Sequence, residues 1–117
     1  MRGDFALGML LEVASMQARW LSMRQAVTAE NVANASTPGY RARDVAAFED
    51  VLSRISEPQN INLQRSYDAN SWEVRPSGNS VSLEEEMVRS AGISRAYAMN
   101  TSIVSAFHRM HLQALRG

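Results

Sequence analysis

The 117-residue chain has no cysteine, which excludes a disulfide scaffold, a thiolate metal site and a cysteine nucleophile. It also has no lysine: all twelve basic residues are arginine, balanced by twelve acidic residues to a net charge of zero. With no net field towards polyanions, nucleic acid and anionic membranes are disfavoured as partners. Arginine makes planar, bidentate contacts and is common at protein interfaces. No run approaches the ~18–20 apolar residues of a membrane span. The start, Met1-Arg2-Gly3-Asp4, lacks the layout of a cleavable signal, and the apolar run behind it breaks at Glu12. Any route out of the cytoplasm is therefore expected to leave the N-terminus uncleaved. Aromatics make up only 7% of the chain, so the core falls to Leu, Val, Ile, Ala and Met. The seven methionines suit helix surfaces that must re-pack.

Chemistry-bearing motifs are missing too. The chain has no Gly-rich phosphate loop and no nucleophile–base pair, so no enzyme, cofactor or metal site is expected. His108 and His111 stand three apart on one helix, but a metal needs further ligands and outer support. Glu84, Glu85 and Glu86 sit where the dipole at a helix start favours negative charge.

What is present reads as one mainly α domain: two long terminal helices around a short middle. The first helix is expected from about Asp4, as N-cap, to about Asn34. Met9, Val13, Met16, Trp20, Met23 and Val27 alternate by four and three, a heptad stripe for packing along another helix. Leu10, Ala14 and Leu21 widen it. The last helix is expected from Ser82, which forms a capping box with Glu85. There Ile93, Ala96, Asn100, Ile103, Phe107, Met110 and Ala114 repeat the same spacing. The matched stripes predict pairing as an antiparallel, coiled-coil-like hairpin, within one chain or between chains. The expected layout is an N-terminal axial helix over 1–36, a turn and variable middle over 37–81, and a C-terminal axial helix over 82–117. Within the middle, Val45 to Ile55 reads as a short helix. Residues 56–81 are polar, with Pro58 and Pro76 as breakers. Ile61/Leu63 and Trp72/Val74 alternate around Tyr67–Asn70, which permits a small hairpin.

The most particular stretch is Ala29-Glu30-Asn31-Val32-Ala33-Asn34-Ala35-Ser36-Thr37-Pro38-Gly39-Tyr40. The first helix runs into two asparagines and then stops. Proline disfavours helix in the residue before it, and Pro38-Gly39 fits the centre of a type II turn. A polar group at a packing position lowers stability while fixing register and partner. Asn31 and Asn34 either cap the helix end or bond a neighbouring subunit. Tyr40 is either an interface anchor or a local lid on the helix.

Asn31 to Tyr40 resembles the N-terminal signature of the bacterial flagellar rod and hook proteins. Leu21–Gln25 before it, Arg41–Val45 after it and Phe48 resemble the proximal rod subunits of that family. So do Ser77–Met87 at the start of the last helix, Tyr97, and the closing Ala114–Gly117. The likeness covers both terminal thirds and is weak over residues 56–76. It implies export unfolded by the flagellar type III apparatus, without signal cleavage, and assembly in the periplasm into a helical tube. The terminal helices would pair in a coiled-coil-like inner layer. The segment after the asparagines would become ordered against neighbours.

The resemblance implies as partners copies of the chain, other rod proteins, membrane-ring and rod-adaptor proteins at the rod base, and the export apparatus. The candidate subunit-interface residues are Asn31, Asn34, Thr37, Pro38, Gly39, Tyr40, Arg41, Arg43, Asn79, Val81, Asn100 and Phe107. Open, heterologous contacts of this kind build filaments. Long stripes that one chain cannot bury would order on assembly. The competing reading is a type III-secreted helical adaptor or chaperone that binds a partner helix without polymerising. The Asn-x-x-Asn/Thr-Pro-Gly-Tyr segment counts against it.

Overall fold

In the computed structural model the described residues are 2–55 and 74–116. They form α1 (Arg2–Ala33), β1 (Arg41–Val45), α2 (Phe48–Ile55), β2 (Val74–Ser80) and α3 (Leu83–Arg116). The molecule measures 61 × 33 × 16 Å with a radius of gyration of 17.3 Å. A compact chain of this length would have about 13 Å, so the two long helices set its shape. The mainly α class, with paired terminal helices and a small β middle, agrees with the expectation from sequence.

Helix α1 contains no proline and begins at Arg2, so Asp4 lies in its first turn rather than at the N-cap. Its end is sharp. The Asn34 N–H bonds the Glu30 and Asn31 carbonyls, the Ala35 N–H bonds Val32, and the Thr37 N–H bonds Asn34. The Tyr40 N–H then closes onto the Thr37 carbonyl at 3.2 Å, and Gly39 has φ +77°. That is the type II turn expected of Pro-Gly, with glycine in the left-handed region that other residues avoid.

The turn feeds β1 directly. β1 pairs antiparallel with β2 in the register Arg43↔Pro76, Asp44↔Arg75 and Val45↔Val74, with an irregularity between Arg41 and Arg43. Pro76 is tolerated because each strand of a two-stranded sheet is an edge. Val45, expected to open the short helix, instead ends β1; α2 starts three residues later at Phe48. Two of its first residues are the acidic Glu49 and Asp50, and Arg54 lies in its last turn, the charge order that a helix dipole favours. The expected hairpin around Tyr67–Asn70 lies outside the described residues, apart from Val74, which pairs with Val45.

At the start of α3, Ser82 is the N-cap. Its Oγ accepts from the Glu85 N–H at 3.4 Å and its carbonyl accepts from the Glu86 N–H at 3.0 Å.

On α1 the pairing line shifts from the Met9–Val27 stripe to the residues that widen it, while on α3 it keeps Ile93, Asn100 and Phe107 of the expected stripe. On α1 the contacts run through Leu7, Leu10, Ala14, Gln17, Leu21, Gln25 and Asn31; on α3, through Glu86, Ser90, Ile93, Asn100 and Phe107. Leu21 and Ile93 are fully buried at its centre. Each contributes about 1.5–3 kcal/mol by leaving water.

The stripe Met9–Val27 lies about a quarter turn away on α1. Its second half, Met16, Trp20, Met23 and Val27, packs with Val45, Phe48, Val51, Leu52 and Val74. The strands and α2 thus form a roof over that half. The small residues Ala42 and Ala46, both buried, let the roof come close. Met9 and Val13 continue the stripe beyond the roof and are exposed. On α3, Ile103 and Met110 of the expected seam are also exposed. Val104 and His111, one position on from each, are half-buried instead.

Candidate functional site

The centre of the site is the side chain of Asn31, which has no solvent exposure. Its Nδ2 donates to the Arg43 carbonyl at 2.7 Å and to Glu86 Oε2 at 3.2 Å. Its Oδ1 accepts from the Arg43 N–H and from the Tyr40 hydroxyl, each at 3.0 Å. A primary amide has two donors and two acceptor sites, and all four are filled. Towards β1, Asn31 therefore behaves as one more strand residue, pairing both backbone groups of Arg43. The turn makes this possible, because Gly39 reverses the chain and brings residue 43 back beside residue 31.

From Asn31 the polar chain continues across the fold. Glu86 is 1% exposed, and its Oε1 accepts from Arg89 at 2.7 Å. Arg89 also reaches Asp44 at 3.4 Å. Asp44 receives a two-pronged contact from Arg24 at 3.0 and 3.1 Å, and its Oδ1 accepts from the Val45 N–H at 2.8 Å. The Arg24 guanidinium lies 5.4 Å from the Trp20 ring centre. Trp20 Nε1 donates to the Ala46 carbonyl at 2.8 Å, and its ring meets Phe48 at 5.6 Å. Two carboxylates and two guanidiniums thus balance in charge while joining α1, β1 and α3. Removing Arg89 would leave the buried Glu86 carboxylate without its cation, which costs more than the pair contributes, whereas Arg24 and Asp44 are partly exposed to solvent.

The sequence-expected residues divide into three groups. Asn31, Tyr40 and the Arg43 backbone meet in the junction. The Arg43 side chain bonds Glu30 at 3.0 Å, a contact exposed enough to be worth roughly 0–1 kcal/mol. A second group forms the rim. Asn34 Nδ2 donates to the Glu30 carbonyl at 2.9 Å, and Asn34 Oδ1 accepts from the Thr37 hydroxyl at 3.2 Å. Thr37, Pro38, Gly39 and Arg41 are exposed beside it, Val81 is half-buried before α3, and Asn79 lies in β2.

The third group lies down the hairpin, away from the junction. Asn100 Nδ2 donates to the Ala14 carbonyl at 2.9 Å and to Gln17 Oε1 at 2.8 Å, tying the helices in one register. Phe107 sits with Leu7, Leu10, Met110 and His111 around a groove near the helix ends. Sequence reasoning missed Arg24, Asp44, Glu86 and Arg89. Glu86 carried a signal, since it stands seven residues before Ile93, which stands seven before Asn100. Among the described residues, no set of three or more His, Asp and Glu is placed to hold a metal ion. No helix among them is long and apolar enough to cross a membrane.

Comparison with known proteins coincides with this junction. A family model described as flagella basal body rod protein matches residues 20–41, from Trp20 through Asn31 and the turn to the start of β1. The chain is 40% identical to the flagellar basal body rod protein FlgB of Agrobacterium fabrum (strain C58 / ATCC 33970) across a 124-position alignment that covers 92% of each protein. With that identity over nearly its whole length, the chain belongs to the flagellar basal body rod protein family and is of the FlgB type.

Proposed function

We propose that this chain is a structural subunit of the flagellar basal-body rod and works by assembly rather than turnover. One observation carries the reading beyond family membership. The apolar stripe that holds the roof in place continues past it, bare, through Met9 and Val13, and α3 adds Met99, Ile103 and Met110. Both stripes lie a quarter turn the same way from their helix's seam. In an antiparallel pair that puts them on one side of the hairpin. A subunit that stayed alone would expose this face at a cost; a packed assembly removes it from water.

In this reading the paired helices form a coiled-coil-like inner layer of a helical tube. Thr37–Arg43, with Asn34, Asn79 and Val81, meets neighbouring subunits at the rim. Asn31 holds that rim in shape, and Asn100 and Phe107 set the hairpin that neighbours recognise. The partners are copies of the chain, other rod proteins, and the ring and adaptor proteins at the rod base. Delivery is by the flagellar type III apparatus without signal cleavage, and the site of action is the periplasmic basal body.

The test pairs Met9→Asp with Ile103→Asp in the chromosomal gene. Monomer stability should change by less than about 0.5 kcal/mol, as for exposed positions, while swimming and rods in purified basal bodies disappear. Normal rods in that strain, or in a strain with the gene deleted, would sink the reading.

A further inference from the structure

In a chain without cysteine, thioether sulfur is the most readily oxidised group that remains, and here it is placed unusually. Met87 is 70% exposed, Met99 65%, Met110 60% and Met9 53%, whereas Met16 is 3% exposed in the core. Methionine is normally a buried residue. Met9 and Met110 lie near the open end of the hairpin, and Met99 and Met110 share a side of α3 with Ile103. Met87 is also exposed, but at 3.6 residues per turn it lies about 160° round α3 from Ile103, off that face.

We propose that Met9, Met99 and Met110 are a peroxide-sensitive modification site that controls assembly of the free subunit; this rests on the rod reading above. Hydrogen peroxide is the oxidant. The thioether sulfur attacks one peroxide oxygen and the O–O bond breaks. That oxygen stays on sulfur as the sulfoxide, and the other leaves as water after proton transfer. Sulfur loses the two electrons that the peroxide gains. The product replaces a pliable apolar side chain with a polar one, on the faces that assembly must dry. Once the faces are covered, the sulfurs are out of the oxidant's reach. The free subunit is therefore the vulnerable form, and a methionine sulfoxide reductase would restore it.

The test treats the purified full-length chain with hydrogen peroxide and follows each methionine by peptide mass spectrometry. The four exposed methionines should oxidise at least about tenfold faster than Met16, whose sulfur is reached only on local opening. Oxidation of Met16 at the same rate overturns the proposal. A second arm adds treated or untreated protein to basal bodies from a strain lacking the gene and measures incorporation. Treated protein should lose at least about tenfold in incorporation. The variant with Met9, Met99 and Met110 all replaced by Leu should keep it after the same treatment. Equal incorporation of treated and untreated wild type overturns the oxidation control alone. If untreated protein is never incorporated, the rod reading fails and the assembly role of these methionines fails with it.

Discussion

The two halves of the α1–α3 hairpin are made of similar residues and have different fates. From Met16 to Asn31, α1 is covered twice, by α3 on one side and by the roof of β1, β2 and α2 on the other. From Leu7 to Val13, among the described residues, α3 alone lies beside it, and Met9 and Val13 of the same apolar stripe are exposed. Both halves have the composition for burial, but the described residues supply a second cover for one of them. An apolar stripe is thus a requirement for a partner, and topology decides whether the partner comes from within the chain or outside it.

The largest effect that would break this comparison is at the junction. Replacing Asn31 by Leu removes four hydrogen bonds and leaves Arg43's backbone and Glu86 buried without them. The expected loss is about 3–5 kcal/mol in chemical denaturation. Asn34→Ala, at the half-exposed rim, should cost under about 1 kcal/mol. Equal losses would mean that the junction is no more than a helix cap.

Next comes the contrast between apolar positions. Leu21→Ala should cost about 2–5 kcal/mol because it opens a cavity at the centre of the α1–α3 seam. Met9→Ala should stay within about 0.5 kcal/mol in the monomer. A large monomer loss at Met9 would show that the open half is covered after all. The smallest of the three concerns the link between the halves' architecture and the roof. Gly39→Ala places a β-carbon at φ +77°. It should cost about 1–2 kcal/mol and loosen β1, read by faster amide exchange at Arg43 than at Leu21. Unchanged stability and exchange would remove the turn from the account.

Much of this was legible in the residues. Periodicity marked both long helices, since 3.6-residue spacing cannot be mimicked by a strand over thirty residues. Ser82 and Pro38-Gly39 marked a start and a stop by local chemistry alone. The asparagines were legible as special, but their partners were not. Asn31 bonds residues 9, 12 and 55 positions away, and spacing within one helix says nothing about such distances. The roof was hidden for a similar reason. Arg41–Val45 lacks the alternation of a half-buried strand, and its pairing depends on β2, some thirty residues on. Glu86 reads as an ordinary acidic residue at a helix start until the pairing of α3 with α1 buries it.

The sequence by itself determined that two long helices flank a short middle, that the last begins at Ser82, and that the chain stops and turns at Thr37–Tyr40. Those properties follow from backbone preferences and side-chain chemistry within a few residues. Tertiary structure alone decided which apolar stripe faces which neighbour, that Asn31 completes a strand edge, and that half of one stripe stays bare. Each depends on rotating one rigid helix against another by a fraction of a turn, and only the sum of all their contacts sets that angle.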